Sequence, residues 1–202
     1  MTMAAPTVFV VDDDPSMRES IASLLASAAL RVETFASARD FLQHPRGEGP
    51  ACLVLDVSMP DVSGLELQRE LTGNPQPIPI IFVTGRGTVP MAVQAMKAGA
   101  VEFLLKPFPE QALFDAIRDA LERDRTERAR RAELTGLHAR RERLTRRERE
   151  VMALIARGRR NKQIAADLGL SENTIKVHRH HIMEKMGVAT FAELMRLIER
   201  LG

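Results

Sequence analysis

The sequence predicts an α/β domain with a five-stranded parallel sheet, doubly wound by helices, followed by an all-α domain of four helices. Short apolar runs rich in β-branched residues alternate with helical patterns in the first half, whereas the end of the chain carries helical patterns only. Charge divides in the same place. Residues 1–121 carry 9 basic and 15 acidic residues, a net charge of −6, and residues 122–202 carry 20 and 12, a net charge of +8. The basic half is therefore expected to face a polyanion.

Five apolar runs predict the strands, and helix signals separate them. The runs are Val8–Val11, Arg31–Phe35, Cys52–Leu55, Ile80–Val83 and Glu102–Leu105. Asp14 before a proline is a helix cap, and Ser37 with Asp40 is another helix start. Three more helices are predicted around Leu65–Leu71, Val93–Met96 and Pro109–Leu121. Strands and helices in alternation favour a parallel sheet that is covered on both faces.

A charged stretch follows the last of these helices. Residues 122–143 contain 13 charged residues among 22. The stretch can begin as an extension of the preceding helix, but Gly136 is expected to interrupt it. We interpret residues 123–140 as a charged, partly helical linker, with a short coiled-coil contact as the alternative.

Four helical segments follow this linker. Thr145 with Glu148 forms a capping-box pattern, and Thr190 with Glu193 repeats it. Between these pairs lie a helix, a three-residue turn and a longer helix that Ser171 can cap: Asn161–Leu168, Gly169–Ser171 and Glu172–Met186. This succession is the helix-turn-helix arrangement of DNA-binding proteins.

Polar side chains follow four of the five predicted strands. The first is followed by Asp12, Asp13 and Asp14, the third by Asp56, the fourth by Thr84 and the fifth by Lys106. Because parallel strands end at one edge of a sheet, these groups are expected to meet there. Converging carboxylates repel one another, and a divalent cation with oxygen ligands relieves this. Mg²⁺ fits best, since it also shares its shell with water and a phosphoryl group. Read singly, Asp14 is a helix cap, Thr84 a turn residue and Lys106 part of a loop.

The segments VFVVDDD, LVLDVSMPDVSG, IIFVTG and FLLKPF resemble the four signatures of a two-component receiver domain, across residues 6–122. This resemblance implies a flavodoxin-like fold in which Asp56 accepts a phosphoryl group from a sensor histidine kinase. It implies Mg²⁺ held by Asp12, Asp13, Asp56 and the backbone carbonyl of Ser58. It also implies that Lys106 pairs with the phosphoryl group, that Thr84 hydrogen-bonds it, that Phe103 changes rotamer with Thr84, and that the Lys106-Pro107 bond is cis.

The helix Glu172–Met186 has two distinct faces at about 100° per residue. An inward stripe contains Ile175, His178, Ile182 and Met186. An outward stripe contains Glu172, Asn173, Lys176, Arg179 and His180, with Val177 at its flank. Such a helix suits the DNA major groove, and Arg160 and Lys162 at the start of the preceding helix suit phosphate contacts. The alternative is that this basic helix face is only a solvated surface without a ligand.

The segment from Leu144 to Val188 strongly resembles a LuxR-type helix-turn-helix, across residues 141–202. A receiver followed by this domain is the layout of NarL/FixJ response regulators, and the run MAVQAMKAGAVEFLLKPF resembles the FixJ branch. The resemblance implies base-reading positions at Lys176, Val177 and His180 and a dimerisation surface on the helix Thr190–Arg200. It also implies promoter binding as a homodimer after phosphorylation, in the role of an activator.

Two other functions remain open at this stage. Asp12-x-Asp14 after a strand is also found in phosphatases that use an aspartyl nucleophile and magnesium, although that reading leaves the basic half unexplained. An interaction module that needs neither DNA nor phosphate is the second alternative. A single cysteine, Cys52, no apolar run near ~20 residues and no basic segment ahead of the first apolar run favour the cytosol.

Overall fold

The computed structural model describes residues 5–60, 62–74 and 76–201. Asp61, in one of the segments quoted above, and Gly202, the predicted end of the DNA-binding domain, lie outside the described residues. The chain forms two compact units that divide after Arg128. No helix in these described ranges has the length and apolar character that crossing a bilayer demands.

The first unit contains one parallel sheet, as the sequence predicts. Its strands are β1 (Thr7–Val11), β2 (Arg31–Phe35), β3 (Ala51–Asp56), β4 (Ile80–Thr84) and β5 (Glu102–Leu105). Their order is β2-β1-β3-β4-β5, and every neighbouring pair is parallel. Every residue of β3 is buried, because this central strand is covered on both faces.

Helices cover both faces of this sheet. They are α1 (Pro15–Ser27), α2 (Ala38–Gln43), α3 (Gly64–Thr72), α4 (Val89–Lys97) and α5 (Glu110–Glu142). The predicted caps are confirmed, since Asp14 accepts a hydrogen bond from the Ser16 amide and Ser37 accepts one from the Asp40 amide. Alternate residues of the strands enter two separate cores, one around Phe9 and Phe82 and the other around Val54 and Ile117. The doubly wound fold is confirmed.

The structure corrects the expectation that Gly136 interrupts the charged stretch. Helix α5 runs without a break from Glu110 to Glu142, through Gly136. A glycine in a helix costs only about 1 kcal/mol relative to alanine, and the next residue, Leu137, is buried in the second unit. Burial of that leucine offsets the cost, so the helix continues.

The start of the predicted linker also belongs to the first unit. Asp124 is 2% exposed, and its Oδ2 accepts a hydrogen bond of 2.8 Å from the amide of Ala51, the first residue of β3. Arg128 pairs with the same carboxylate and donates to the carbonyl of Glu48 at 3.1 Å. Charge density alone assigns residues 123–128 to the linker, because the sequence does not distinguish a buried, hydrogen-bonded carboxylate from a solvated one.

The second unit packs four further helices around one core. They are α6 (Arg146–Ala156), α7 (Asn161–Leu168), α8 (Glu172–Met186) and α9 (Phe191–Leu201). Their apolar faces meet in a core that contains Val151, Ile164, Ile175, Ile182 and Leu194. Both predicted capping boxes are present at the starts of α6 and α9. Helices α7 and α8 end at Gly169 and Gly187, whose φ angles are +66° and +69°.

Candidate functional site

The carboxyl ends of the strands form an acidic pocket in the first unit. Asp12 follows β1, and Asp56 ends β3, the strand that lies beside β1. From β1, one crossover leads outward to β2 and the strand order then reverses, so the crevice lies at the switch point where doubly wound folds bind ligands. Asp12 is completely buried and Asp56 is 8% exposed.

Lys106 joins these two carboxylates. Its Nζ lies 2.7 Å from Asp12 Oδ2 and 3.1 Å from Asp56 Oδ2. Burial alone would lower the pKa of Lys106, but the hydrogen bond to Asp12 and the two negative charges raise it instead. Burial raises the pKa of Asp12, and hydrogen bonds from Lys106 and the Asp14 amide partly oppose that rise. The lysine is thus a charged group held at the place where the carboxylates converge.

Oxygen ligands for a divalent cation are present in this pocket. Carboxylate oxygens of Asp12, Asp13 and Asp56 all lie within 4.8 Å of one another. Two of these residues are buried, whereas Asp13 is exposed. Ser58 follows in the next loop, and its amide donates to Asp56 Oδ1 at 3.0 Å. Hard carboxylate oxygens that leave room for water are the donor set that Mg²⁺ prefers, so the residues fit this ion.

Asp14 has a different position from its two neighbours. Its carboxylate accepts a hydrogen bond of 2.9 Å from the Ser16 amide and caps α1. The structural role that the sequence suggested for Asp14 is therefore observed. The Asp12-x-Asp14 pattern does not supply a second pocket carboxylate at Asp14, as an aspartyl phosphatase would need.

Thr84 and Phe103 lie close to one glycine. Thr84 is fully buried, and its Oγ1 accepts a hydrogen bond of 3.3 Å from the Arg86 amide. The Phe103 ring packs against Phe82 with 5.9 Å between centroids. A Cβ on Gly87 would lie 2.8 Å from a ring carbon of Phe103 and 3.0 Å from the Thr84 methyl group. Sequence reasoning missed Gly87, although it comes only three residues after Thr84. The Lys106-Pro107 bond is cis, as the resemblance implies.

Apolar side chains are exposed near this region, on α4 and β5. The exposed fractions are 78% for Val89, 46% for Val93, 44% for Met96 and 54% for Leu105. We call these four residues the α4–β5 face. Large apolar side chains grouped on a surface are typical of an interface with another protein.

Helix α8 presents its predicted outward residues to solvent in the second unit. Asn173, Lys176, Val177 and His180 are all exposed, and half of the Val177 surface is accessible. At the start of α7, Arg160 and Lys162 are exposed as well. The inward stripe is also observed, with Ile175, Ile182 and Met186 fully buried. An exposed polar helix face flanked by basic residues matches what a major groove accepts.

Arg179 differs from the other predicted outward residues. It is half-buried, and it donates a hydrogen bond of 2.9 Å to Asn161 Oδ1. Burial lowers the pKa of its guanidinium. His178, which the sequence assigns to packing, is partly buried on the inward side, and its Nδ1 is buried.

Polar contacts fix α8 against the rest of the second unit. Lys185 donates to both oxygens of Glu148 at 2.7 and 2.9 Å, and Arg140 donates to the Met186 carbonyl at 3.1 Å. Burial opposes ionisation of Glu148, but bonds from Lys185 and Thr145 outweigh it and lower the pKa of this carboxyl. The sequence identified Glu148 only as a helix cap, and the contact with Lys185 depends on the tertiary fold.

Two family models match the chain, one in each unit. Residues 8–118 match the response regulator receiver domain. Residues 142–198 match the luxR family of bacterial regulatory proteins. Together these matches cover most of the chain, and they lie on the acidic pocket and on the helix-turn-helix.

Relatives share both parts. Nodulation protein W of Bradyrhizobium diazoefficiens is 50% identical over 96% of this chain and 86% of its own length. The transcriptional regulatory protein FixJ of Azorhizobium caulinodans is 42% identical over 94% of this chain and 90% of its own. The solved structure of the response regulator StyR has a TM-score of 0.85 and 52% identity, and it covers 98% of this chain and 100% of that one.

Proposed function

The chain belongs to the response regulators that join a receiver domain to a LuxR-type DNA-binding domain, in the branch that contains FixJ, and we propose that phosphorylation of Asp56 controls its binding to promoter DNA. It is a transcriptional regulator rather than an enzyme. The observation that carries the proposal is the contact of Lys106 with both Asp12 and Asp56 at the ends of adjacent strands. We assign the receiver role to residues 6–122 and the DNA-binding role to residues 141–202.

The proposed modification is an in-line transfer from a sensor histidine kinase. A carboxylate oxygen of Asp56 attacks the phosphorus of a phosphohistidine, an O–P bond forms, and the P–N bond to the imidazole breaks. The imidazole leaves with the electron pair of that bond and takes up a proton. Asp56 is suited to this role because it is ionisable, lies at the rim of the pocket and remains 8% exposed.

The pocket residues stabilise the charge that develops. Asp12, Asp13, Asp56 and the Ser58 carbonyl would hold Mg²⁺, whose positive charge favours phosphoryl transfer when the ion is bound. Lys106 would exchange its bond with Asp56 for one to a phosphoryl oxygen. The buried Thr84 hydroxyl can donate to a second oxygen, so two fixed groups of this chain recognise the modified side chain.

The switch acts on the α4–β5 face. When Thr84 turns toward the phosphoryl group, it vacates space beside Phe103, and Gly87 supplies clearance because it has no side chain. Phe103 then moves inward from β5. Such a change shifts the balance between two arrangements of β5 and α4. The charge added at Asp56 thereby alters the α4–β5 face. The apolar side chains already exposed there support the proposal that two phosphorylated copies pair through this face.

Paired copies bring two α8 helices to two half-sites on the same DNA. Lys176, Val177, His180 and Asn173 are the proposed base contacts, and Arg160 and Lys162 are the proposed phosphate contacts. Dimerisation raises the effective concentration of the second contact, so it strengthens binding without a new base contact. As an activator in the cytosol, the protein would bind promoters only after its kinase responds.

The test begins with the full chain, MgCl₂ and acetyl phosphate. We expect one phosphoryl group on Asp56 and tighter binding to DNA that the phosphorylated protein selects from a random pool. Asp56→Asn is expected to remove the phosphate-dependent part of binding and to leave the fold intact. An unchanged response in Asp56→Asn would refute the switch. Label on Asp12 with turnover of unrelated phosphoesters would instead support a phosphatase.

A further inference from the structure

Arg179 lies on α8 between the residues that face the core and the residues that face water. At 100° per residue, it is turned about 60° from Lys176 toward the buried side of the helix. Lys176 and His180 are exposed, whereas Arg179 is half-buried. Its long side chain is therefore directed along the flank of the helix, where it can reach the neighbouring helices of the same unit.

Two helix N-termini meet at the Arg179 guanidinium. One nitrogen donates to Oδ1 of Asn161, the first residue of α7. The central carbon lies 4.4 Å from the ring centroid of Phe191, the first residue of α9. A guanidinium makes both contacts at once, because its N–H groups lie in its plane and its face stacks on an aromatic ring. A lysine ammonium has no such plane and cannot reproduce this geometry.

We propose that Arg179 is a positioning residue, which fixes the rotation of α8 against α7 and α9 and so directs Lys176, Val177 and His180 at the base edges. The inference rests on the proposed role of α8 in reading DNA. Lys185 and Arg140 hold the C-terminal end of α8, so without the clamp its N-terminal part is less firmly fixed in rotation, and the base contacts weaken because they need a fixed direction. Phosphate contacts made by Arg160 and Lys162 do not depend on that rotation.

The competing role for an arginine on this helix is a direct phosphate contact. Three observations oppose it: Arg179 is half-buried, the edge of its guanidinium already donates to Asn161, and the face already covers Phe191. Burial also lowers the pKa of Arg179, as expected for a cation from which water has been partly removed. A phosphate contact would require Arg179 to give up both partners, whereas Lys176 reaches solvent directly.

The variant that separates the two roles is Arg179→Lys, since it keeps the positive charge and loses the planar fork. The phosphorylated full chain is titrated with the DNA that it selects from a random pool and with unrelated DNA of equal length. We expect Arg179→Lys to bind the selected DNA about tenfold more weakly, from loss of the stacking and hydrogen-bond geometry. Binding to unrelated DNA should stay within about twofold of wild type. If Arg179→Lys binds the selected DNA as wild type does, the proposal is overturned.

A second variant tests the clamp from its other side. Phe191→Leu leaves Arg179 in place and removes the ring, so it should also lower the preference for selected DNA, with little further loss in the double variant. Additive losses, or none in Phe191→Leu, would contradict the clamp. The salt dependence supplies a control. Arg160→Gln should reduce the slope of log K against log salt by about 0.9 for each bound copy, about 1.8 for the pair, whereas Arg179→Gln should leave it unchanged.

The outcomes also separate this inference from the proposed function. A wild-type chain that binds selected and unrelated DNA equally would overturn both. A selective wild type with an equally selective Arg179→Lys variant would overturn only the positioning role. Circular dichroism of each variant shows whether the helices are intact, and Phe191→Leu keeps the test open if Arg179→Lys does not fold.

Discussion

Two basic side chains on α8 have the same charge but different structural roles. Lys176 and Arg179 are three residues apart on α8, and periodicity places both on the outward stripe. Yet Lys176 is exposed, whereas Arg179 contacts Asn161 and Phe191. Helical periodicity predicts which side of a helix a residue faces, but only to within about one residue spacing. Whether a residue at the edge of a stripe is exposed or buried depends on its tertiary partners. The sequence could therefore predict Lys176 but not the partners of Arg179.

Replacement of Lys176 by alanine tests the proposed base contact. Lys176→Ala should weaken binding to selected DNA by about 1–3 kcal/mol, because one good base contact contributes that much discrimination. Fluorescence anisotropy on the selected and an unrelated sequence measures it. Arg146→Ala is the matched control, since its side chain is 92% exposed on α6. Equal effects of the two variants would show that α8 does not read the bases.

Gly87→Ala tests the clearance beside the switch residues. An added Cβ would clash with Leu105 Cδ2 and lie 2.8 Å from a Phe103 ring carbon. We expect a destabilisation of about 1–3 kcal/mol, because overpacking moves neighbouring side chains, and a weaker effect of phosphorylation on DNA binding. Chemical denaturation and anisotropy report the two effects. Gly85→Ala is the control, because nothing lies within 4 Å of its added Cβ, and a similar loss there would contradict the steric reason.

At the scale of elements, local signals predicted most helices and strands. Asp14, Ser37 and Thr145 cap helices through hydrogen bonds to residues two or three positions away, so their patterns are visible in sequence. The pocket was predictable for a related reason, since parallel strands bring their carboxyl ends to one edge. Asp124 was not predictable, because its partner Ala51 is 73 residues distant along the chain. The unbroken path of α5 through Gly136 was missed because buried neighbours outweigh a weak local preference.

The continuity of α5 leads to a stabilising substitution. Gly136 is exposed in the helix and nothing lies within 4 Å of an added Cβ. Gly136→Ala should therefore raise the stability of this part of α5 by about 1 kcal/mol, as alanine has the higher helix propensity. Amide hydrogen exchange from residues 129 to 142 measures the change. Ala132→Gly, at an exposed position of the same helix, should give the opposite sign, and unchanged exchange in Gly136→Ala would show that the helix is broken in solution.

We expect Glu148 to make a pH-dependent contribution to the stability of the second unit. Its pKa is lowered below the ordinary value of 4.5 in the folded protein, because the bonds from Lys185 and Thr145 outweigh burial. A lowered carboxyl pKa adds stability above the ordinary pKa, and this stability is lost as pH falls through the folded pKa. Glu148→Gln should therefore destabilise α6 and α8 by about 2 kcal/mol at pH 7 and by less below pH ~4.

Hydrogen exchange in α6 and α8 at several pH values measures this difference. Lys185→Gln is the partner variant, and it should share much of the loss because the two side chains form one ion pair. A destabilisation of Glu148→Gln that is equally large at pH 7 and at low pH would assign the effect to packing rather than to charge.

At the scale of the whole molecule, the proposed switch converts a charge in one unit into assembly of two copies. Val93→Asp places a carboxylate in the middle of the α4–β5 face, where Val93 is 46% exposed. Burying an unpaired charge between two copies is costly, so the variant should remain monomeric at concentrations about tenfold above those at which phosphorylated wild type pairs.

Sedimentation velocity with and without beryllofluoride measures this assembly. The variant should still accept the phosphoryl mimic, because Val93 lies outside the pocket. Ala26→Asp, at an exposed position of α1, is the matched control and should pair normally. If the Val93→Asp variant pairs like wild type, the dimer interface does not lie on the α4–β5 face.

The bond between Asp124 and Ala51 has a practical consequence for dissection of the chain. A receiver fragment that stops at residue 122 would lose the carboxylate that accepts the Ala51 amide and the arginine that holds the loop ahead of β3. The buried Ala51 amide would then lie next to a frayed end of α5. The first residue of β3, the strand that carries Asp56, would have a backbone donor without a hydrogen-bond acceptor. Expression of the first unit alone should therefore extend at least to Arg128, and phosphorylation kinetics measured on a shorter piece would describe a weakened protein.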